Sequence, residues 1–248
     1  MAKNNQHLEY SMPRQFGLYP PPPILYYNAR VVALFIQCAP NIKKHYLPSE
    51  LKPIESGLDI FLILEYPNTS IGPYNEAVLL LSSTYKNKPG VFVFSIYVDD
   101  DVALTAGREI WGIPKKLAEI NLSPIKKNKI KGTVVRRGTT LFDIKVEILE
   151  SEPGLSPKEM FEDLPFYNLK LIPDIADNTK PALRQLTETY LKIEKVHEQN
   201  AALPYYFRSQ DSQHDISHEV IKEAVKDLGG FYAIYDSILP NGKILEDL

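Results

Sequence analysis

Short segments rich in apolar residues, separated by turn-forming residues, follow one another along most of the chain, a pattern typical of β-strands. The segments enriched in β-branched and aromatic residues predict strands at 26–37, 58–66, 77–85, 91–98, 168–175, 183–196 and 231–239. Two more strands, 130–136 and 140–149, flank Arg137-Gly138-Thr139 and predict a hairpin. Many short strands with few helices predict an α+β, mainly β protein built on a barrel or a curved sheet.

Three helices are predicted between the strands. The first, 41–47, ends before Pro48. Ser156-Pro157-Lys158-Glu159 predicts a second helix start, because it combines a capping serine, proline at the first position and glutamate at the third. The third, 217–228, places its apolar residues on one face and is followed by Gly229-Gly230.

Composition narrows the class of protein. The chain has 248 residues, of which 24% are charged, and its net charge of −3 does not favour nucleic acid or an anionic membrane as a partner. Its single cysteine, Cys38, cannot form an internal disulfide and fits a reducing compartment. The first twelve residues lack the apolar segment of a signal peptide, and no apolar run approaches the length of a membrane span. We therefore expect a cytoplasmic protein.

The chain has no internal repeat and no low-complexity linker. We expect one domain over residues 1–248, in which residues 1–25 form a proline-rich N-terminal lead-in. Glycine-rich phosphate loops, nucleophile-elbow serines and cysteine pairs do not occur in the sequence. His214 and His218 have helical spacing, but a zinc site needs three or four ligands. We interpret them as the polar start of the third helix, and we expect no metal.

The segment 107–117 contains two adjacent lysines, Lys115 and Lys116. Pro114 favours an extended backbone at the residue before it, and side chains alternate faces along an extended segment. Lys115 would then share one face with Trp111, Ile113 and Leu117. Burial disfavours the charged form of an amine, so Lys115 would become a nucleophile. The alternative is that Lys115 extends its amine to solvent from an ordinary strand.

This segment, with Gly107-Arg108-Glu109 followed by Pro114-Lys115-Lys116-Leu117, resembles the Schiff-base lysine segment of the acetoacetate decarboxylase family. That family is itself the standard example of a lysine nucleophile activated by its surroundings. The resemblance implies that Lys115 forms the imine and that Lys116 assists by charge repulsion. The alternation of side chains favours desolvation of Lys115 as the larger effect.

The resemblance also implies a fold and an activity. The expected fold is a closed, cone-like antiparallel β-barrel flanked by short helices, in a homo-oligomer. The expected activity is that of a carbon–carbon lyase that decarboxylates a β-keto acid such as acetoacetate. No cofactor is expected, because the iminium itself accepts the electrons that carbon dioxide leaves behind.

A second stretch, Gly72-Pro73-Tyr74-Asn75-Glu76, resembles the family's Gly-x-Tyr-x-Glu element. The resemblance implies that Glu76 lies in the pocket, where it would orient water or substrate or carry a proton. Without the resemblance, Glu76 would be interpreted as a solvated carboxylate at the start of a strand. The likeness continues in 167–173 and in the closing helix and strand.

Three positions depart from the family pattern. The family's first-strand arginine falls at Ala29, with Arg30 one residue later, and a one-residue shift reverses the face of a strand. Phe61 replaces a pocket glutamate, for which the nearest alternative is Glu65, and Ile113 replaces a tyrosine. These changes predict weak activity on acetoacetate and a preference for a larger apolar tail. The residues expected to contact the substrate are Arg30, Phe61, Glu65, Trp111 and Ile113.

Two other functions fit the same lysine. An aldolase-dehydratase of the same superfamily would act on pyruvate or another oxo acid. A non-catalytic protein would bind a small molecule in the lysine pocket. In each case the expected partner is a small molecule, a keto acid for the two enzymes.

Overall fold

A computed structural model describes residues 10–248, so residues 1–9 of the predicted lead-in lie outside the described part of the chain. The strands are β1 (Ile24–Ile36), β2 (Lys52–Pro53), β3 (Asp59–Tyr66), β4 (Asn68–Thr69), β5 (Tyr74–Tyr85), β6 (Lys88–Val98), β7 (Lys115–Leu117), β8 (Glu119–Leu122), β9 (Lys129–Arg136), β10 (Thr139–Ile148), β11 (Phe166–Pro173), β12 (Pro181–Thr189), β13 (Lys192–Ser209), β14 (Gly230–Leu239) and β15 (Lys243–Asp247). The helices are α1 (Pro40–Tyr46), α2 (Asp101–Ala106), a π-helical turn (Gly107–Trp111), α3 (Pro157–Phe161) and α4 (Ser217–Ile221).

The fifteen strands of residues 10–248 form one mixed sheet in the order β15-β12-β11-β6-β5-β3-β1-β14-β13-β10-β9-β8, and β2, β4 and β7 pair with β5, β1 and β6 off this path. Strand pairs are antiparallel except β6 with β11 and β6 with β7, which are parallel. The sheet curls far enough for the edge strand β8 to contact β3, β5 and β6. A mainly β protein with short helices is therefore confirmed. None of the helices in residues 10–248 is long and apolar enough to cross a membrane.

Most predicted strands are confirmed to within a few residues, and the cap of α3 is confirmed in full. The Ser156 hydroxyl accepts a hydrogen bond from the Glu159 backbone N–H at 3.2 Å, and the Glu159 carboxylate accepts one from the Ser156 N–H at 2.9 Å. The predicted strand 183–196 is wrong, because β12 ends at Thr189 and β13 begins at Lys192.

The helix predicted at 217–228 is also wrong in its length, because α4 ends at Ile221. Beyond it the backbone N–H of Val225 donates to the carbonyl of Gln37 at 3.0 Å, and the N–H of Gln37 donates to the carbonyl of Val225 at 2.9 Å. Pairing with the chain just after β1 thus replaces the last helical turns.

Both faces of the central strands are buried. Successive side chains of a strand point to opposite faces, so β3 and β5 contribute to two hydrophobic clusters. One cluster, called the cavity core because it encloses the cavity described below, includes Leu62, Leu64, Val78, Leu80 and Val93. The opposite core includes Phe61, Ile63, Leu79, Leu81 and Phe142.

A buried ion pair between Lys43 of α1 and Asp59 of β3 connects the helix to the sheet. The Lys43 Nζ lies 3.3 Å from Asp59 Oδ1, and it donates to the Ser82 hydroxyl at 2.9 Å and to the Ile54 carbonyl at 2.7 Å. Asp59 also accepts hydrogen bonds from the backbone N–H groups of Cys38 and Ser82. Both side chains are fully buried, and the network satisfies the ammonium group with three acceptors.

We expect Lys43→Met to lower the free energy of unfolding by about 3–5 kcal/mol, because it leaves the Asp59 carboxylate buried without its cation. Urea denaturation measures the change. Lys44→Met is the matched control, since Lys44 is exposed on the same helix. A Lys43→Met variant as stable as the control would contradict a role for this pair in stability.

Candidate active site

A mostly apolar cavity lies in the cavity core, between β3, β5, β6 and β14. The volume in which the centre of a water molecule fits is about 80 Å³. One water needs roughly 10–15 Å³ of such volume. The space therefore suits a ligand of a few heavy atoms. Among its lining residues in the described chain, the charged ones are Lys115 and Glu76. Apolar walls with a few convergent polar groups are typical of small-molecule sites.

Lys115 and Glu76 form a buried pair inside this cavity. The Lys115 Nζ lies 2.8 Å from Glu76 Oε2 and 5.3 Å from the centre of the Tyr74 ring. Opposite charges attract strongly where water is excluded, but the same exclusion removes their hydration. The Lys115 amine donates a hydrogen bond directly to the Glu76 carboxylate, so a proton acceptor lies next to the amine. The structure thus brings together Lys115 and Glu76, two of the three residues predicted to be catalytic.

The pairing of β7 with β6 directs the two lysines to opposite faces. Lys115 stands beside Ile96, a cavity-lining residue, and Lys116 beside Tyr97 of the opposite core. The Lys116 Nζ lies 2.7 Å from Asp215 Oδ2. Burial opposes ionisation of Asp215, but hydrogen bonds from Lys116, Tyr97 and Ser217 hold the pKa of its carboxyl group below the usual value. The charge of Lys116 is thus compensated and turned away from Lys115.

The π-helical turn brings the backbone against the lysine side chain. A Cβ atom on Gly107 would lie 2.6 Å from the Cδ of Lys115, so glycine is required for this approach. Gly112 ends the turn with φ of +77°, and a Cβ there would lie 2.4 Å from the Cβ of Lys170. π-Helical turns occur frequently at functional sites. Here the turn confines the stem of Lys115 and holds its amine toward Glu76.

The prediction of a single extended face from Trp111 to Leu117 is wrong. Trp111 belongs to the π-helical turn, and its indole N–H donates to the Pro240 carbonyl at 2.9 Å, outside the cavity lining. Leu117 is 49% exposed. Ile113 does line the cavity. Lys115 is therefore desolvated by Ile113 and by walls from β3, β5 and β6, rather than by a local stripe.

Arg30, Glu65 and Phe61 lie away from the cavity. The Arg30 Nε is 3.2 Å from Glu65 Oε2, and an Arg30 Nη donates to the carbonyls of Leu122 and Ser123. Phe61 packs in the opposite core against Phe142 and Phe207, whose ring centres are 4.8 and 5.1 Å away. The reason is the alternation of strand residues, which gives the cavity Leu62, Leu64 and Tyr66 instead.

Four tyrosines surround Glu76, and of these only Tyr74 belongs to a predicted motif: Tyr26, Tyr66, Tyr74 and Tyr235. Burial raises the pKa of each hydroxyl, and the negative charge of Glu76 raises it further. The Tyr66 hydroxyl donates to Glu76 Oε1 at 3.5 Å, and the Tyr74 hydroxyl donates to that of Tyr26 at 3.4 Å. These phenols therefore stay protonated and act as neutral hydrogen-bond donors.

Part of this tyrosine cluster had a signal in the sequence. Tyr74 precedes Glu76 by two residues and so shares the strand face of Glu76. Tyr66 lies opposite Tyr74 in the β3–β5 pair. Tyr235 comes from β14, far along the chain, and no local pattern points to it.

Comparison with known proteins identifies a family. A family model described as acetoacetate decarboxylase matches residues 10–247. An acetoacetate decarboxylase of Ralstonia nicotianae is 29% identical over 174 residues, 68% of this chain and 68% of that protein. One from Acidiphilium cryptum is 29% identical over 170 residues, 67% of each chain.

Solved structures share the fold. The crystal structure of an acetoacetate decarboxylase from Legionella pneumophila superimposes with a TM-score of 0.85 at 23% identity, covering 100% of this chain and 99% of that chain. The enduracididine biosynthesis enzyme MppR, complexed with pyruvate, superimposes with a TM-score of 0.80 at 18% identity, covering 96% and 97%. At these identities the likeness establishes the fold.

We expect Gly107→Ala to slow the reaction of Lys115 with a ketone by roughly 100-fold, because the new methyl group displaces the lysine stem and small misplacements of reacting groups are costly. The rate of borohydride trapping with acetone measures the effect. Gly154→Ala is the control, since a Cβ at Gly154 meets nothing within 4 Å. Equal trapping rates in the two variants would show that the close approach of Gly107 is not needed.

Proposed function

We propose that this chain, which belongs to the acetoacetate decarboxylase family, is a lyase that decarboxylates a β-keto acid through an imine on Lys115. One observation carries the proposal: the Lys115 Nζ lies 2.8 Å from Glu76 Oε2 inside a buried, apolar cavity. An amine next to a proton acceptor, among mostly apolar side chains, meets the requirements of a lysine nucleophile. The substrate class is a small keto acid.

The first step forms the imine. Glu76 accepts a proton from the Lys115 ammonium group, and the neutral amine attacks the ketone carbon. After the amine proton moves to oxygen, the carbinolamine hydroxyl takes the proton from Glu76 and leaves as water. The product is an iminium ion on Lys115 beside an ionised Glu76. General acid–base catalysis by one positioned carboxylate supports both proton transfers.

The second step breaks the carbon–carbon bond. The electron pair of the bond to the carboxylate moves toward the iminium nitrogen as carbon dioxide leaves, and a neutral enamine forms. Glu76 then delivers a proton, taken up from solvent, to the enamine carbon. Hydrolysis of the resulting iminium releases the ketone and restores the ammonium–carboxylate pair. The reaction as a whole consumes one proton for each carbon dioxide released.

The same pair supports an aldolase-dehydratase as a second candidate. One reason is the fold shared with MppR, whose structure was determined with pyruvate. The other is that the cavity has phenols where a cation for the leaving carboxylate would be expected. Pyruvate would form the same iminium, lose a methyl proton to Glu76 and add to an aldehyde.

Product analysis separates these functions. Decarboxylation predicts acetone and carbon dioxide from acetoacetate, whereas aldol chemistry predicts a condensation product from pyruvate and an aldehyde without carbon dioxide. A binding protein would give an adduct with borohydride but no turnover of either mixture. If no keto acid gave either turnover or an adduct, the proposal would be overturned.

We expect Glu76→Gln to lower kcat for decarboxylation by about 10²–10⁴-fold, the usual contribution of a general acid–base, because the amide can neither accept nor return the proton of Lys115. Steady-state release of carbon dioxide measures kcat. The control is Glu55→Gln, which changes an exposed carboxylate outside the cavity lining. Unchanged kcat in Glu76→Gln would remove Glu76 from the mechanism.

A further inference from the structure

The cavity contains too few cations for the substrate proposed above. Lys115 is the only cation among its lining residues in the part of the chain that the structure describes, and it is already paired with Glu76. A keto acid brings a second carboxylate into the same space. After the imine forms, one iminium charge faces two carboxylates. Because a buried carboxylate needs hydrogen bonds or a counter-charge, neutral donors must hold one of the two.

Tyr235 offers such a donor. Its side chain lines the cavity and is fully buried, with a relative exposure of 0%. Its hydroxyl has no hydrogen-bond partner within residues 10–248. Unpaired buried polar groups are rare in folded proteins, and each calls for an explanation. In contrast, the hydroxyls of Tyr66 and Tyr74 already donate to Glu76 and Tyr26.

The surroundings of Tyr235 leave its hydroxyl free for a ligand. Its partner across the β1–β14 pair is Ala29, which has no polar side chain. Burial first, and then the charge of Glu76, raise the pKa of the Tyr235 hydroxyl, so the group keeps its proton near neutral pH. It can therefore donate a hydrogen bond to an anion that enters the cavity.

We infer that Tyr235 is a substrate-binding residue whose hydroxyl donates a hydrogen bond to the carboxylate of the keto acid held on Lys115. This inference rests on the proposed function and adds to it the group that recognises the acid. It also orients the substrate. With the carboxylate near the phenols, the alkyl end points along β5 toward Val78 and Leu80, which follow Glu76 on the same strand face.

The neutral donor has a chemical consequence. A phenol holds the carboxylate in place without the full compensating charge that an arginine would supply. The carboxylate therefore depends on the iminium for its counter-charge. Loss of carbon dioxide converts this iminium–carboxylate pair into a neutral enamine. The apolar surroundings favour such neutral species over charged ones. The site is thus suited to an acid that is to lose its carboxylate.

The test compares a ligand that has the carboxylate with one that lacks it. In Tyr235→Phe we expect KM for acetoacetate to rise by about 10–100-fold, since a hydrogen bond to a charged group is lost. Borohydride trapping with acetone, which has no carboxylate, should proceed at the wild-type rate. Tyr232→Phe is the matched control, because Tyr232 lies on the same strand but in the opposite core.

Thermal unfolding supplies a readout that a structural role would change. Removing an unpaired buried hydroxyl does not remove a bond, so the melting temperature of ligand-free Tyr235→Phe should equal or exceed that of the wild type. Three outcomes would overturn this inference and leave the proposed function standing. They are a clear drop in melting temperature, an unchanged KM for acetoacetate, or an equal loss of reactivity toward acetoacetate and acetone. A wild-type protein that forms no adduct with either compound would overturn the proposed function, and this inference with it.

Discussion

The ion pair between Lys115 and Glu76 is the interaction on which the rest of the site depends. Two opposite charges, 2.8 Å apart, lie in a cavity whose other lining residues are apolar or phenolic except Thr189. Such a pair is costly to bury and holds together only if its geometry is well defined. That geometry comes from β5, which carries Glu76, and from the close approach of Gly107 to the lysine stem. The two groups are in direct hydrogen-bond contact, so the carboxylate is placed to act as a proton acceptor for the amine.

A second constraint is the alternation of side chains in a sheet whose two faces are both buried. It sends Lys115 into the cavity and Lys116 to Asp215, so adjacent lysines have different surroundings. The same rule removes Arg30, Phe61 and Glu65 from the cavity, because they fall on the other face of β1 and β3. One register thus determines both the nucleophile and the set of residues available to the substrate.

The sequence predicted the strands well because β-branched and aromatic segments need burial wherever they pair. It failed where tertiary contacts decide the local structure. Residues 217–228 have a helical pattern, yet pairing with Gln37 ends the helix at Ile221. Pro114 restricts its own backbone and that of the residue before it, so the extended face did not reach Trp111. Lys115 and Glu76 were found through a family resemblance, whereas Tyr235 joins them only through the sheet.

The central claim is that Lys115, and not its neighbour, carries the substrate carbon. The most direct measurement is a mass-spectrometric peptide map of the protein reduced with borohydride in the presence of acetoacetate. We expect an isopropyl group, the reduced and decarboxylated adduct, on Lys115. An adduct on Lys116, or an adduct on Lys115 that retains the carboxylate, would contradict it.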